Sequence, residues 1–383
     1  MDFSTLRNNY KVSGTIAKGS SGRVMLGWDT ALGTRVAIKQ ASFSSEDKKS
    51  TIVGYFRNEA ELLRLAEHPR IIKVLDDSFS QEGALKNPSM LDSTGLSEDL
   101  SVDSSEKGLK NSKTFELKSF SNKLRCQKSL SSDLCSIIFP TSKIFPNHST
   151  YQSPESPFIV LEHFENGDLF ELLSQASAFS ENLTRFFFQQ ALEAVTHLHS
   201  LGFAHRDLKL ENFVIDDNFS LKMIDLAFGS SLKEETKTIK GTRGYFAPEM
   251  LSGLPFNLEK SDIFALGVML ILMATGTQPF EQAVPSNQHF RTFVENKRLF
   301  WSQLREESPR NGPTTAEFRN LAEGLLEPNP KERFSLVKAR EHEWTKRNVD
   351  CPAARAEVKK ILALKKMKEW GGHARAVATV PCF

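Results

Sequence analysis

The sequence predicts an α+β chain, with strands gathered towards its beginning and helices following. Three observations carry this. Residues 10–28 alternate apolar and small residues around glycines, as a β-hairpin does, and short apolar runs recur at 36–39, 71–74 and 158–161. Residues 181–201 and 263–276 then carry apolar side chains at helical spacing or in one unbroken run. At 383 residues the chain exceeds what one core usually holds, so two lobes with additions are expected.

Composition narrows the class. Hydrophobic content of 39% and charged content of 25% are ordinary for a soluble globular protein. A net charge of +2 implies neither bulk affinity for nucleic acid nor adsorption to a membrane. Cys126, Cys135, Cys351 and Cys382 form no C-x-x-C pair, which argues against zinc and disulfides and suits a reducing compartment. The run 263–276 is too short to span a bilayer and reads as a buried helix. Residues 1–4 show neither a basic segment nor an apolar one, and Asp2 is incompatible with myristoylation. An intracellular protein, cytoplasmic or nuclear, with no membrane span is expected.

The elements follow in order. The hairpin contains Ile16, Ala17, Lys18, Gly19, Ser20, Ser21, Gly22, Arg23 and Val24, a glycine-rich turn. Such a turn either merely reverses the chain or lets backbone N–H groups reach phosphate oxygens. Val36–Ala37–Ile38–Lys39 reads as a short strand ending in lysine. Glu59, Leu62, Leu63 and Ala66 fall at i, i+3, i+4 and i+7, so Glu59 heads an apolar helical stripe. A carboxylate there is costly unless paired, and Lys39 is the natural partner. Residues 71–74 begin the next strand. From 81 to 156 the pattern dissolves into serine-rich sequence, far longer than an ordinary connection, and reads as an insert between the fourth and fifth strands, either disordered or functional on its own terms. Residues 158–161 resume as a buried strand, a polar turn follows, and Asp168 stands where it would cap a helix beginning at Leu169. Gly202 ends the helix over 181–201.

Next comes His205–Arg206–Asp207–Leu208–Lys209–Leu210–Glu211–Asn212. An acid, a cation and an amide within eight residues suit phosphoryl transfer, where charge must be positioned and neutralised. The stretch resembles the catalytic loop of protein kinases, and further kinase-like motifs occur in the right order. The glycine turn resembles the G-x-G-x-x-G-x-V loop, with Ala17 in the first glycine's place. Residues 36–39 resemble the strand bearing the phosphate-binding lysine. Asp225–Leu226–Ala227 stands where kinases read Asp-Phe-Gly, and Gly241–Thr242 with Ala247–Pro248–Glu249 resembles the end of the activation segment. The resemblance covers residues 10–80 and 157–344, is of the serine/threonine type because of Lys209, and is nearest the calmodulin-dependent and AMP-activated-like branch.

The resemblance implies a two-lobed α+β fold with ATP and Mg2+ in the cleft. The kinase domain would span 10–345, with a small lobe of 10–162 and a large lobe of 163–345. Lys39 would hold the phosphates and pair with Glu59. Val24, Ala37 and Val214 would enclose adenine, Glu162 and Phe164 would offer it backbone groups, and Asp168 would meet the ribose. Asp207 would accept the proton of a protein substrate's hydroxyl, Lys209 would stabilise the transferring group, and Asn212 and Asp225 would bind the metal. Leu226 would fill an apolar spine with Leu63, Val74 and His205. Asp262 would hold the catalytic loop from below, and Arg333 would pair with Glu249. Thr238 would carry a regulatory phosphate that pairs with Arg206.

Two departures stand out. Ala17 and Ala227 replace glycines; at 227 alanine is harmless if φ is negative and strained if φ is positive. They support the alternative reading, a catalytically silent scaffold of the same fold. Beyond Trp344, residues 346–383 form a tail in which 353–370 reads as a basic amphipathic helix. It would pack on the large lobe, act as an autoinhibitory contact, or bind calmodulin.

Overall fold

The computed structural model describes residues 9–19, 22–43, 48–79, 156–233, 235–309 and 314–377, the last twelve by their backbone. The predicted insert therefore lies outside the described residues, except Ser156, whose hydroxyl donates to the Ala41 carbonyl. Ser20 and Ser21 lie outside them too.

The small lobe begins with strands β1 (Tyr10–Lys18), β2 (Gly22–Asp29) and β3 (Thr34–Ala41), followed by helix α1 (Lys49–Leu65) and strands β4 (Val74–Asp77) and β5 (Phe158–Glu162). The strands form one antiparallel sheet in the order β1-β2-β3-β5-β4. Lys39 is not at the end of its strand, as expected, but two residues inside it, registered between Val24 and Ile159. That interior position fixes its backbone on both sides. The fourth strand begins at Val74 rather than at Ile71. Ile71 and Ile72 instead meet the other lobe, with Ile72 N–H donating to the Met223 carbonyl at 3.0 Å. Alternation along the sheet puts Tyr10, Met25, Val36, Ile38, Phe158 and Val160 in one apolar cluster, while Ile159 and Leu161 join the main core with α1.

The large lobe opens with helices α2 (Leu169–Ala176) and α3 (Glu181–Ser200), then strands β6 (Phe203–Ala204), β7 (Phe213–Ile215), β8 (Leu221–Met223) and β9 (Ser230–Ser231). Helix α4 (Leu258–Thr275) follows; Asp262 lies one turn inside it rather than at its start. Helices α5 (Gln288–Glu295), α6 (Lys297–Glu307), α7 (Ala316–Leu325), α8 (Leu336–Glu341), α9 (Glu343–Lys346) and α10 (Cys351–Val377) complete the chain. Residues 263–273 of α4 are buried all round, as a helix apolar on every face must be. The abundant phenylalanines find a use here. Rings step edge to face from Phe280 through Phe290, and from Phe293 through Phe300, Trp301 and Phe318 to Trp344. No helix among the described residues is long and apolar enough to cross a membrane.

The tail helix is longer than the predicted 353–370 and docks on this lobe. Ala354, Val358 and Ile361 are buried, Glu357 accepts from the Ser180 hydroxyl and backbone N–H, and Lys365 Nζ meets Glu171 at 2.7 Å.

Candidate active site

The loop 205–212 is built on a buried carboxylate. Asp262, on α4, accepts the His205 N–H at 2.7 Å and the Arg206 N–H at 2.9 Å, and His199 Nε2 donates to it at 2.8 Å. Burial works to raise the Asp262 pKa, but these donors bring it below the usual carboxylate range. An ionised carboxylate without them would be untenable at 2% exposure. Arg206 takes a positive φ of 69° as the chain turns. His205 fixes its tautomer through two bonds: Nδ1 accepts the Asp207 N–H at 3.2 Å, and Nε2 donates to the Ile224 carbonyl at 3.1 Å.

The side chains of Asp207, Lys209 and Thr242 close a ring. Lys209 Nζ meets Oδ2 at 2.7 Å, the Thr242 hydroxyl donates to Oδ1 at 2.7 Å, and Lys209 Nζ also donates to that hydroxyl oxygen at 3.0 Å. Thr242 reaches in because Gly241 adopts φ +110° beside the loop, where a Cβ would run into the Arg206 carbonyl. Asn212 Nδ2 donates to the Asp207 carbonyl at 2.7 Å, which leaves its amide oxygen as an acceptor.

The second half of the site comes from the small lobe. Lys39 Nζ bonds Glu59 Oε2 at 2.7 Å and Asp225 Oδ1 at 2.9 Å. Burial works to lower the Lys39 pKa, but the attraction of both carboxylates raises it overall. Burial pushes the Glu59 carboxyl up to about 7, with Lys39 acting against it. Burial would also raise Asp225, yet Lys39 brings it below its ordinary value. The two halves meet at Ile224: its N–H donates to the Asn212 carbonyl at 2.9 Å, while its own carbonyl holds His205. Lys39, Asp225, Asn212 and Asp207 thus form one connected constellation.

The segment after Asp225 answers the question posed at Ala227. The positive φ falls on Asp225, at 64°, and Ala227 is not among the residues with positive φ, so alanine fits there without left-handed strain. Asn58, next to Glu59, donates its amide to the carbonyls of Leu226, Ala227 and Gly229 at 3.1–3.3 Å. Asn58 carries no signal in the sequence beyond its adjacency to Glu59. Leu63, His205 and Leu226 are buried, and Val74 packs half-buried against the same core.

Ala17 pairs with Val24, and Lys18 with Arg23, across the hairpin; Ile16 is exposed. Arg23 turns to Gln40, and a Cβ at Gly22 would strike the Gln40 carbonyl, which explains the glycine. Gly19 closes the turn through its N–H to the Gly22 carbonyl at 2.8 Å. Ala37 faces Leu161 in the sheet, and Val214 bridges to Asp168. Asp168 caps α2, accepting the Glu171 N–H at 2.8 Å, and burial raises its pKa. The Glu162 carboxylate is engaged by the Lys73 N–H and by Lys222, whose ammonium also stands over the Phe164 ring. Thr238 is half-buried, and its carbonyl accepts from Arg206 Nη2 at 2.6 Å. Arg333 grips Glu249 with two parallel bonds of 2.6 and 2.9 Å.

In sequence the chain is similar to known proteins. The model of the protein kinase domain matches residues 131–345. The chain is 32% identical over 201 residues to the serine/threonine-protein kinase SAPK1 of Oryza sativa subsp. japonica, covering 51% of this chain and 57% of the relative. It is 34% identical over 196 residues to the serine/threonine-protein kinase SRK2C of Arabidopsis thaliana, covering 50% and 55%. It is 32% identical over 207 residues to the serine/threonine-protein kinase CHK1 of Saccharomyces cerevisiae, covering 51% and 37%. The chain belongs to the protein kinase domain family. It spans about half the length, or less, of these curated relatives. The family match leaves Lys39 and Glu59 outside it, so their assignment rests on the bonds described above.

Proposed function

We propose that the chain is an active serine/threonine protein kinase, moving the γ-phosphoryl of Mg·ATP to a hydroxyl of a protein substrate. The observation that carries this reading is Lys39 bonded at once to Glu59 and Asp225, on a segment tied through Ile224 to the loop of Asp207. The domain is taken as 10–345, with its cleft between the lobes 10–162 and 163–345, and 346–383 as the tail.

The chemistry assigned to each residue follows from its surroundings. Lys39 keeps its charge and is the partner for phosphate oxygens. Asp207, with Thr242 and Lys209 on its two oxygens, orients the attacking hydroxyl and takes its proton as the new O–P bond forms and the bond to ADP breaks. Lys209, bonded to that carboxylate, is the positive charge that would meet the group in transfer. Val24, Ala37, Leu161 and Val214 offer an apolar slot for adenine, the backbone of 162–164 its polar edge, and Asp168 the ribose contact. Residues 16–24 cover the phosphates.

Asp225 and Asn212 supply a carboxylate and an amide oxygen, the hard donors that suit Mg2+. Among the described residues no cluster of three or more His, Cys, Asp or Glu side chains could enclose a metal. A cation held by Asp225 and Asn212 would share its shell with the nucleotide; when bound it neutralises phosphate charge. The half-buried Thr238, beside Arg206, is the proposed regulatory phosphosite. For the tail, the burial of Val358 and Ile361 favours docking on the large lobe over capture by calmodulin. The activity is placed inside the cell, where ATP is found.

The test is transfer of labelled γ-phosphate from Mg·ATP to a generic basic protein, followed by phosphoamino-acid analysis. Phosphoserine or phosphothreonine, lost with Asp207→Asn, is expected. No transfer from the dephosphorylated or the activated chain, or label on tyrosine alone, would overturn the reading.

A further inference from the structure

Three separated stretches of chain meet at one ammonium group. Tyr55 lies on α1, one turn before Glu59. Phe228 lies three residues after Asp225. Their rings pack edge to face, with centroids 5.3 Å apart at 80°. The Lys240 ammonium stands 5.0 Å from the centre of the Tyr55 ring and 5.6 Å from that of Phe228. A cation over two half-buried aromatic faces is attracted by both quadrupoles. Lys240 is also the residue before Gly241 and Thr242, and Thr242 bonds Asp207. One side chain therefore touches the helix that positions Lys39 and the segment that carries a metal-ligand candidate, and it stands beside the residue that positions the base.

The neighbouring arginine is committed to the same task. Arg206 Nη1 donates to the Ser230 hydroxyl at 2.8 Å and Nη2 to the Thr238 carbonyl at 2.6 Å. Both partners are neutral groups of the activation segment itself. Asn58 adds the bonds from α1 to the carbonyls of 226, 227 and 229. The segment is thus tied by bonds from the loop 205–212 and from α1.

We propose that Lys240 is a positioning residue for the phosphoryl transfer proposed above, on which this inference rests. Its ammonium, seated against Tyr55 and Phe228, clamps α1 to the activation segment and holds that segment in its working arrangement ahead of any phosphate on Thr238. A phosphate there adds to an order that already exists.

The experiment uses the full chain after phosphatase treatment. Hydrogen exchange over residues 235–245 is followed alongside steady-state turnover for the wild type, Lys240→Met, Lys240→Arg, Tyr55→Leu and Tyr55→Phe. Loss of the charge or of the ring is expected to speed exchange and lower kcat by about three- to thirtyfold, with KM for ATP changed less. Arginine at 240 and phenylalanine at 55 keep cation and ring, and should stay within about twofold of the wild type. The proposal is overturned if Lys240→Met exchanges like the wild type, if Lys240→Arg is as impaired as Lys240→Met, or if the wild-type segment is protected only once Thr238 is phosphorylated. Exchange does not need turnover. A wild type that never turns over defeats the kinase reading alone, and the exchange arm still decides the clamp.

Discussion

The two halves of the site are held by different kinds of force. On the large-lobe side, buried Asp262 gathers two backbone N–H groups and His199, Asn212 holds the Asp207 carbonyl, and Thr242 holds its carboxylate. These bonds are short-range and interlock, so the loop cannot shift without losing several together. On the small-lobe side, one lysine reaches two carboxylates from different elements, and α1 carries the decisive partner. The contrast teaches that the loop 205–212 is bound into the large lobe by many partners, whereas the Lys39 constellation hangs on a single ammonium group.

Breaking the first half should therefore damage stability most. Asp262→Ala leaves two backbone donors and His199 without their acceptor, and should cost about 3–5 kcal/mol, read from denaturant unfolding, with activity lost as well. Breaking the second half should show the reverse. Lys39→Met is expected to lower turnover by at least about a hundredfold. At pH 6 its unfolding free energy should stay within about 1 kcal/mol of the wild type, because Glu59, pushed up further once Lys39 is gone, takes up a proton and Asp225, with 38% of its side chain exposed, is reached by water.

Glu59 sharpens the comparison through pH. Its folded-state value, about 7, lies above the ordinary 4.5, so the folded chain binds the extra proton between them. Stability should fall as pH rises from about 4.5 towards 7, by on the order of 3 kcal/mol, while turnover rises because Lys39 needs the ionised carboxylate. In Glu59→Gln both trends should disappear; a variant that keeps the wild-type pH profile of unfolding would assign that profile elsewhere. The smallest effect is expected at Ala227→Gly. With no positive φ at 227, glycine only adds freedom to the unfolded chain and should destabilise by about 0.4–1 kcal/mol.

Much of this is legible in the sequence. The loop 205–212, the lysine strand and Glu59 announced themselves by residue type and spacing, whereas Asp225, Asp262 and the Arg333–Glu249 pair followed from the resemblance to protein kinases. What stayed hidden depends on contacts between distant segments. Nothing local told that the positive φ sits on Asp225 rather than Ala227. The strand expected from Ile71 starts at Val74 because Ile72 bonds Met223 in the other lobe. Asn58, Tyr55 and Lys240 look like ordinary surface residues until α1 meets the activation segment. The tail's apolar stripe was legible, but its dock against Ser180 and Glu171 was not.

The central claim is that Lys39, Asp207 and Asp225 converge on a single nucleotide. The most direct measurement sets Mg·ATP binding against turnover for Asp207→Asn on one preparation. The account predicts affinity within about threefold of the wild type and turnover lower by at least about a hundredfold, because Asp207 acts on the hydroxyl and not on the nucleotide. Turnover in Asp207→Asn equal to the wild type, or a wild-type chain that binds no Mg·ATP, would contradict it.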